Sequence, residues 1–242
     1  IHAGQGGFCV IIGDPGTGKS AIRMHLEQLG KERTTVVASF TQTMHTYQPI
    51  LKQLAQSLQL SASMNEIEKE LIQAAYRHVQ AQKTLYILID EAHLLDIAIL
   101  RKLRLLFERF PKKHTLVLLG QPELMYRLSL TCNEDIKSRI TYSTRLLPLN
   151  DADLSAFILD ELAAVGLGAH TFDEGALQII LRSVQGNLRL CRHLCYASLL
   201  ATCMDQKRIC TISHVNQALQ QPHWRSHEDL IKQQVKPRSK TS

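Results

Sequence analysis

The stretch that decides the fold reads Gly13-Asp14-Pro15-Gly16-Thr17-Gly18-Lys19-Ser20. Its spacing of glycines, lysine and a hydroxyl residue matches a phosphate-binding loop without a gap. An apolar run at residues 8–12 precedes it, and a helical apolar pattern at residues 21–29 follows it. Glycines let backbone N–H groups wrap around phosphate oxygens, and a helix N-terminus favours negative charge. These eight residues are therefore predicted to bind nucleotide phosphates, with Lys19 at the β- and γ-phosphates and the Ser20 hydroxyl as a Mg²⁺ ligand.

A second apolar run ends in two carboxylates. Residues 84–89 are followed directly by Asp90 and Glu91. A continuous apolar run predicts a strand buried on both faces of a parallel sheet, and such sheets bind ligands at their carboxyl edge. Asp90 is predicted to hold Mg²⁺, directly or through water, and Glu91 to polarise an attacking water. The alternative is that both acids cap the following helix. His93 could polarise Glu91 or contact a neighbour, but a solvent-exposed histidine at the start of that helix is expected.

The alternation of strand and helix patterns stops near Asn150. Before it, strands are predicted at residues 34–40, 84–89, 115–119 and 142–149, and helices between them include residues 94–110. After it, four helices are predicted, at residues 151–165, 173–184, 187–203 and 213–220, with Asp151, Thr171 and Thr211 as N-caps. We therefore predict an α/β domain with a parallel sheet flanked by helices (residues 1–150), a small all-α domain (residues 151–221) and a basic C-terminal tail (residues 222–242).

Composition limits the compartment and the partners. The 242 residues carry a formal net charge of +6, which permits contact with nucleic acid without demonstrating it. No run reaches the roughly 18 apolar residues of a membrane span, and residues 1–7 do not form a signal peptide, although the start at Ile1 suggests a missing upstream segment. The six cysteines include no Cys-x-x-Cys pair, and Cys191 and Cys195, one helical turn apart, favour buried core positions over metal ligation. A cytoplasmic protein without a membrane partner is expected.

Five segments together resemble the AAA+ superfamily of ATPases. They are GDPGTGKS (13–20), LYILIDEAHLL (85–95), LVLLGQPEL (116–124), NEDIKSRI (133–140) and QGNLRLCRHLC (185–195). Within that superfamily the chain is similar to the branch that contains the ExeA/GspA-type secretion ATPases and the transposition ATPases TnsC, TniB, IstB and MuB. The resemblance runs from residue 8 to about residue 220. It implies a P-loop NTPase fold followed by a helical lid, with ATP and Mg²⁺ as cofactors and hydrolysis of ATP to ADP and phosphate.

The resemblance also implies roles for three polar residues. Gln121 falls where the first sensor residue lies, and its alternative is a turn residue before Pro122. Arg139 matches an arginine finger, which reaches the ATP of an adjacent subunit and so acts only in an oligomer; Arg127 is the second choice, and a solvated or salt-bridged arginine the alternative. Arg189 matches the second sensor on the lid, with a surface arginine as its alternative. The specificity for adenine is implied by the resemblance alone.

Two functions remain open at this point. The first is an ATP-dependent switch that assembles as a ring or helical filament on double-stranded DNA and works with a transposase and a target-selection protein. Its supporting feature is a basic cluster on and after the helix at residues 94–110, comprising Arg101, Lys102, Arg104, Lys112 and Lys113. A solvated helix face partly neutralised by Glu108 is the alternative for that cluster. The second function is an ExeA/GspA-like ATPase that acts on a protein partner in secretion or pilus assembly, without DNA.

Overall fold

The structure is a computed structural model that describes residues 7–29, 35–40, 46–61 and 63–224. The chain divides into two compact units, Ile1–Leu147 and Pro148–Ser242. The basic residues predicted to form the tail lie, from residue 225 onward, outside the described part of the chain. Among the helices that the structure describes, none combines the length and the apolar character needed to cross a membrane.

The first unit alternates strands and helices along the chain. Its strands are β1 (Gly7–Gly13), β2 (Thr35–Phe40), β3 (Thr84–Ile89), β4 (His114–Gly120) and β5 (Ile140–Leu146). Its helices are α1 (Lys19–Leu29), α2 (Tyr47–Ser57), α3 (Ile67–Gln80), α4 (Ile97–Glu108), α5 (Pro122–Ser129) and the single turn α6 (Glu134–Lys137). A 3₁₀ turn, Ala92–Leu94, lies between β3 and α4.

The five strands form one parallel sheet in the order β2-β3-β4-β1-β5. Strand β4 therefore lies between β1 and β3, with Gly120 beside Ile12 and Leu118 beside Ile89. This order brings the carboxyl ends of β1, β4 and β3 side by side at one edge of the sheet. Because the residues that follow those ends carry the predicted chemistry, the topology positions the site.

Apolar side chains cover both faces of the sheet. On one face, Leu85, Ile87 and Leu116 are buried in the main core with residues of α2, α3, α4 and α5. On the other face, Leu88, Val117 and Leu119 form a smaller core against which Leu26 of α1 packs. The continuous apolar runs of β3 and β4 are thus explained by burial on both sides, and the predicted parallel sheet flanked by helices is confirmed.

Two elements have an end that differs by three residues from the sequence-based expectation. The helix predicted at residues 94–110 begins only at Ile97, because Leu95 and Asp96 are extended between the 3₁₀ turn and α4. The last strand, predicted at residues 142–149, spans Ile140–Leu146 because it pairs with β1 from Ile140 onward. Pro148, which has no N–H to donate to a sheet, follows shortly after its end.

The second unit contains the helices α7 (Asp151–Ala164), α8 (Glu174–Val184), α9 (Leu188–Met204) and α10 (Ile212–Leu219). They enclose a separate apolar core that includes Leu154, Ile180, Leu194, Val215 and, as expected from its spacing, Cys191. Cys195 packs against that core.

The N-caps of these helices correct two assignments. Asn150, and not Asp151, caps α7, since its side chain accepts a hydrogen bond from the Asp153 N–H. Asp173, and not Thr171, caps α8 by accepting from the Ala176 N–H. Thr211 is the N-cap of α10, where it forms a capping box with His214. In both corrected cases the cap lies within two residues of the position expected from sequence, a typical uncertainty at helix ends.

Gly186 fixes the turn between α8 and α9. Its φ is +77°, a conformation that favours glycine, and an added Cβ would lie 2.2 Å from the carbonyl oxygen of Leu149. The Leu149 N–H donates to the Gly186 carbonyl across 3.0 Å. Asn187 follows as the N-cap of α9, so this glycine determines where the helix that carries Arg189 begins.

Candidate nucleotide-binding site

The loop between β1 and α1 is a tight turn built on glycine. Gly16 and Gly18 have φ values of +87° and +99°. The carbonyl oxygen of Asp14 accepts hydrogen bonds from the N–H and the hydroxyl of Thr17, at 3.3 and 2.8 Å. A Cβ on Gly13 would lie 2.5 Å from the Thr17 hydroxyl oxygen. The backbone can curve this closely only because these positions lack side chains, which leaves room for a phosphate.

Lys19 places its ammonium group inside this turn. The side chain is buried, and Nζ donates to the carbonyl oxygens of Gly13 and Asp14 at 2.7 and 3.0 Å. Lys19 is also the first residue of α1, so the positive charge lies at a helix N-terminus. Ser20 follows in the exposed first turn. A cation, a helix N-terminus and a glycine loop therefore converge on one point, and this donor set fits the phosphates of a nucleotide.

The acidic pair is joined to the helix that follows the loop. Asp90 accepts a hydrogen bond at Oδ1 from the Glu91 N–H (2.9 Å), and its Oδ2 lies 3.3 Å from Nε of Arg23 on α1. Arg23 also forms an ion pair with Glu27. The structure thus places Asp90 beside α1, one helical turn beyond Lys19. Arg23 was not predicted as a site residue, although its spacing of four from Lys19 puts both on one face of α1.

The residues available for a metal ion fit magnesium bound with a nucleotide. Ser20 offers a hydroxyl and Asp90 a carboxylate, and the described residues contain no cluster of three or more His, Cys, Asp or Glu that could hold a metal ion alone. Mg²⁺ commonly takes one or two protein oxygens and completes its shell with phosphates and water. Ser20 and Asp90 would hold the ion in this way.

Glu91 has an unusual backbone conformation, with φ +51° and ψ +33° in the left-handed region. A non-glycine residue there is uncommon and is a recognised feature of functional sites. Oε2 of Glu91 lies 3.4 Å from Nδ1 of His93, whose side chain is only 10% exposed. The expectation that His93 is solvent-exposed is therefore wrong, and the 3₁₀ turn that carries it lies against β4.

Gln121 lies between the loop and the acidic pair. It follows β4, whose Gly120 pairs with Ile12 of β1, and it precedes Pro122, the first residue of α5. Gln121 is the N-cap of α5, but its side chain makes no capping hydrogen bond. The amide group is thus not used to cap the helix, and Gln121 stays a candidate sensor.

Arg139 lies at the amino end of the strands, whereas the loop lies at their carboxyl end. It directly precedes β5, whose first residue, Ile140, pairs with Phe8, whereas Leu146 at the end of β5 pairs with Gly13. The six residue steps along β5, from Ile140 to Leu146, correspond to about 20 Å at ~3.3 Å per strand residue. Arg139 forms an exposed ion pair with Glu108 (Nε–Oε1 2.9 Å). It is therefore not brought together with the phosphate loop of its own chain.

The other two arginines differ in their surroundings. The guanidinium of Arg127 donates to the carbonyl oxygens of His93 and Leu95, both at 2.8 Å. These bonds occupy Arg127 within its own chain and disfavour it as the second choice for a finger. Arg189 is exposed in the first turn of α9 in the second unit.

The predicted basic cluster is only partly available to a ligand. Arg101 pairs with Asp135 (2.8 Å), a hydrogen bond that lowers the pKa of that carboxyl, and Arg104 pairs with Glu108 (3.1 Å). The remaining members are lysines. Lys102 lies over the ring of Tyr47, and Lys112 and Lys113 are exposed in the turn before β4. The arginines are thus largely neutralised by neighbouring acids, which leaves the lysines as candidate DNA contacts.

The sequence of the chain matches a known family and a known protein. Residues 2–128 match a family described as AAA domain. The chain is 33% identical over 204 residues to General secretion pathway protein A of Aeromonas hydrophila, in an alignment covering 81% of this chain and 37% of that protein. The chain thus spans well under half the length of this relative.

Solved structures show the same fold. Cdc6p from Pyrobaculum aerophilum has a TM-score of 0.73 at 20% identity, over 93% of this chain and 63% of that chain. Drosophila ORC bound to DNA has a TM-score of 0.68 at 21% identity, over 93% of this chain and 57% of that chain. At these identities the likeness concerns the fold alone. The family match covers more than half of the length of this chain. The chain therefore belongs to the AAA domain family and is an AAA+ ATPase by fold and family.

Proposed function

We propose that the ATP site of this protein is completed by a neighbouring copy of the same chain. The observation that carries the proposal is the position of Arg139, about 20 Å along the sheet from the phosphate loop. An arginine at that distance does not contact the γ-phosphate bound to its own chain. In a head-to-tail assembly, Arg139 of one subunit meets the carboxyl edge of the next, where the loop lies.

The residues at the carboxyl edge of the sheet have different roles in ATP hydrolysis. The loop N–H groups and Lys19 bind the β- and γ-phosphates, and Ser20 and Asp90 would hold a magnesium ion, which would neutralise phosphate charge. Glu91 orients the attacking water and accepts its proton, and Gln121 orients the water or the γ-phosphate. Arg139 from the neighbour stabilises the charge that develops on the transferred group, and Arg189 senses the γ-phosphate from the lid. The products are ADP and inorganic phosphate.

The Arg139–Glu108 ion pair is compatible with exchange between subunits. Both side chains are more than a third exposed, and pairs of this kind contribute at most about 1 kcal/mol. Replacing Glu108 by a phosphate of a neighbouring ATP therefore costs little. ATP binding then favours assembly, and hydrolysis removes the charge that Arg139 contacts, so the nucleotide state controls whether subunits stay joined.

We propose that this assembly forms on double-stranded DNA, as a ring or helical filament, and recruits or activates a transposase together with a target-selection protein. The net charge of +6 and the exposed Lys112 and Lys113 support contact with phosphates. Such contacts hold DNA without selecting a sequence.

An ATPase that acts on a protein partner in secretion or pilus assembly, without DNA, is the second candidate. It is favoured by the 33% identity to General secretion pathway protein A. It is also favoured by the ion pairs that neutralise Arg101 and Arg104, since these remove two of the five predicted DNA contacts.

Gel shifts with two unrelated DNA duplexes separate the two functions. With a non-hydrolysable ATP analogue we expect binding of both duplexes, weakened by salt, and none without nucleotide. The double variant Lys112→Ala/Lys113→Ala should lower the slope of log K against log salt by about 1–2, because each phosphate contact contributes roughly 0.9. Lys69→Ala, an exposed lysine on α3, serves as the control and should leave the slope unchanged. Absence of binding at low salt would remove the DNA function and favour the protein partner.

Mixing two inactive variants tests the shared site. Arg139→Ala subunits retain the loop, and Lys19→Ala subunits retain the finger, so each alone should be nearly inactive. In an equal mixture about a quarter of the interfaces combine an intact loop with an intact finger, and turnover should recover to roughly that fraction. Lys19→Ala mixed with Glu91→Gln, which removes two residues of the same half-site, is the control and should recover far less. Full activity of Arg139→Ala alone would contradict the shared site.

A further inference from the structure

The imidazole of His93 is buried with a polar atom that has no hydrogen bond. Its side chain is 10% exposed, and Nδ1 is shielded from solvent without a hydrogen-bond partner. The polar atom facing Nδ1 is Oε2 of Glu91, at 3.4 Å. Burying a hydrogen-bonding group without a partner costs free energy, so a nearby acceptor that can move closer is a natural partner.

The turn that carries His93 is held from two sides. Arg127 of α5 donates to the carbonyl oxygens of His93 and Leu95, and the Arg127 carbonyl in turn accepts from the Asn133 side chain, all at 2.8 Å. On the other side, β4 approaches so closely that a Cβ on Gly120 would lie 3.2 Å from the backbone nitrogen of His93. These contacts fix the backbone of His93 and therefore the direction from which its imidazole meets Glu91.

The Glu91 carboxylate has few contacts of its own that would fix its orientation. Its backbone is in the left-handed region, and its side chain is 39% exposed. Among the described residues, the only ion-pair partner of its carboxylate is His93. Without a donor on one oxygen, a carboxylate this exposed would sample several rotamers.

We infer that His93 is a positioning residue for Glu91: its Nδ1–H donates to Oε2 and leaves Oε1 directed at the attacking water. This inference rests on the proposed ATPase function. The present separation of 3.4 Å closes by a small rotation of the Glu91 side chain, as catalytic hydrogen bonds commonly shorten in the substrate complex. Arg127 then supports His93 indirectly, because its hydrogen bonds to the His93 and Leu95 carbonyl oxygens fix the backbone of the 3₁₀ turn.

Two substitutions of similar size test the inference. In His93→Asn the amide nitrogen lies close to the position of Nδ1 and can donate, whereas His93→Leu has no donor. We expect His93→Leu to lower kcat for ATP hydrolysis by about 10- to 100-fold, with KM and the ATP-dependent thermal shift unchanged, because only the geometry of the base is lost. His93→Asn should stay within a few-fold of the wild-type kcat. In a Glu91→Gln background, His93→Leu should lower the residual rate no further.

The outcomes are distinguishable. A wild-type protein that does not hydrolyse ATP in the same assay overturns the proposed function and with it this inference. A wild-type protein that turns over ATP, with His93→Leu equally active, overturns the inference alone. An equal loss of kcat in His93→Leu and His93→Asn, accompanied by a lower melting temperature in both, shows that the imidazole acts through packing and also overturns it.

Discussion

Glu91→Gln is expected to lower the rate of ATP hydrolysis by about 10²- to 10⁴-fold, the range that a general base contributes. The variant keeps the size of the side chain but replaces one acceptor oxygen by an NH₂ donor and removes the charge that draws a proton from water. Since Glu91 is not predicted to contact the phosphates or the magnesium ion, ATP affinity should stay within a few-fold of the wild-type value. The measurement is phosphate release under multiple turnover, paired with equilibrium binding of a fluorescent ATP analogue.

A matched control uses a neighbouring acid at the same edge of the sheet. Glu123 lies in the first turn of α5, two residues after Gln121, and is exposed. Glu123→Gln makes the same change of charge and should leave turnover nearly unaltered. If turnover of Glu91→Gln is undiminished, Glu91 is not the base, and another group must activate the water. If Glu91 is the base, Glu91→Gln with ATP should accumulate as the assembled oligomer, because hydrolysis no longer separates the subunits.

The features that sequence predicted well are local along the chain. The glycine loop, the apolar strand before it and the helix after it all lie within residues 7–29, where each residue constrains its neighbours directly. The apolar run that ends in Asp90 and Glu91 is similarly self-contained. Period and composition suffice for such segments, and they also indicated a parallel sheet buried on both faces.

The features that sequence missed depend on contacts between distant residues. Nothing local indicates that β4 lies between β1 and β3, yet this order places Gln121 between the loop and the acids. Arg101 looked like a DNA contact because its partner, Asp135, is 34 residues away in the chain. His93 looked exposed for the same reason, since the residues that contact its backbone belong to β4 and α5.

Lys19→Met should remove most of the thermal stabilisation that nucleotide gives. A ligand at about 100 times its Kd stabilises a protein by ~2.7 kcal/mol, which corresponds to a rise of about 5–10 °C in the melting temperature of a domain this size. If the substitution weakens binding about 100-fold, the same ligand concentration adds only ~0.4 kcal/mol, or roughly 1–2 °C. Differential scanning fluorimetry with an ATP analogue and Mg²⁺ measures both shifts.

A melting curve measured without added nucleotide is the internal check on this variant. The Lys19 ammonium donates to the Gly13 and Asp14 carbonyl oxygens, so Met loses those two bonds but keeps the apolar stem within the turn. We expect the melting temperature without ligand to change by less than the nucleotide-dependent shift of the wild type, because the ammonium no longer has to be desolvated. Lys69→Met, on the exposed side of α3, should retain the full nucleotide shift. A full shift in Lys19→Met as well would mean that the loop binds nucleotide without its lysine, and the phosphate contacts would then have to come from the backbone N–H groups and the helix N-terminus alone.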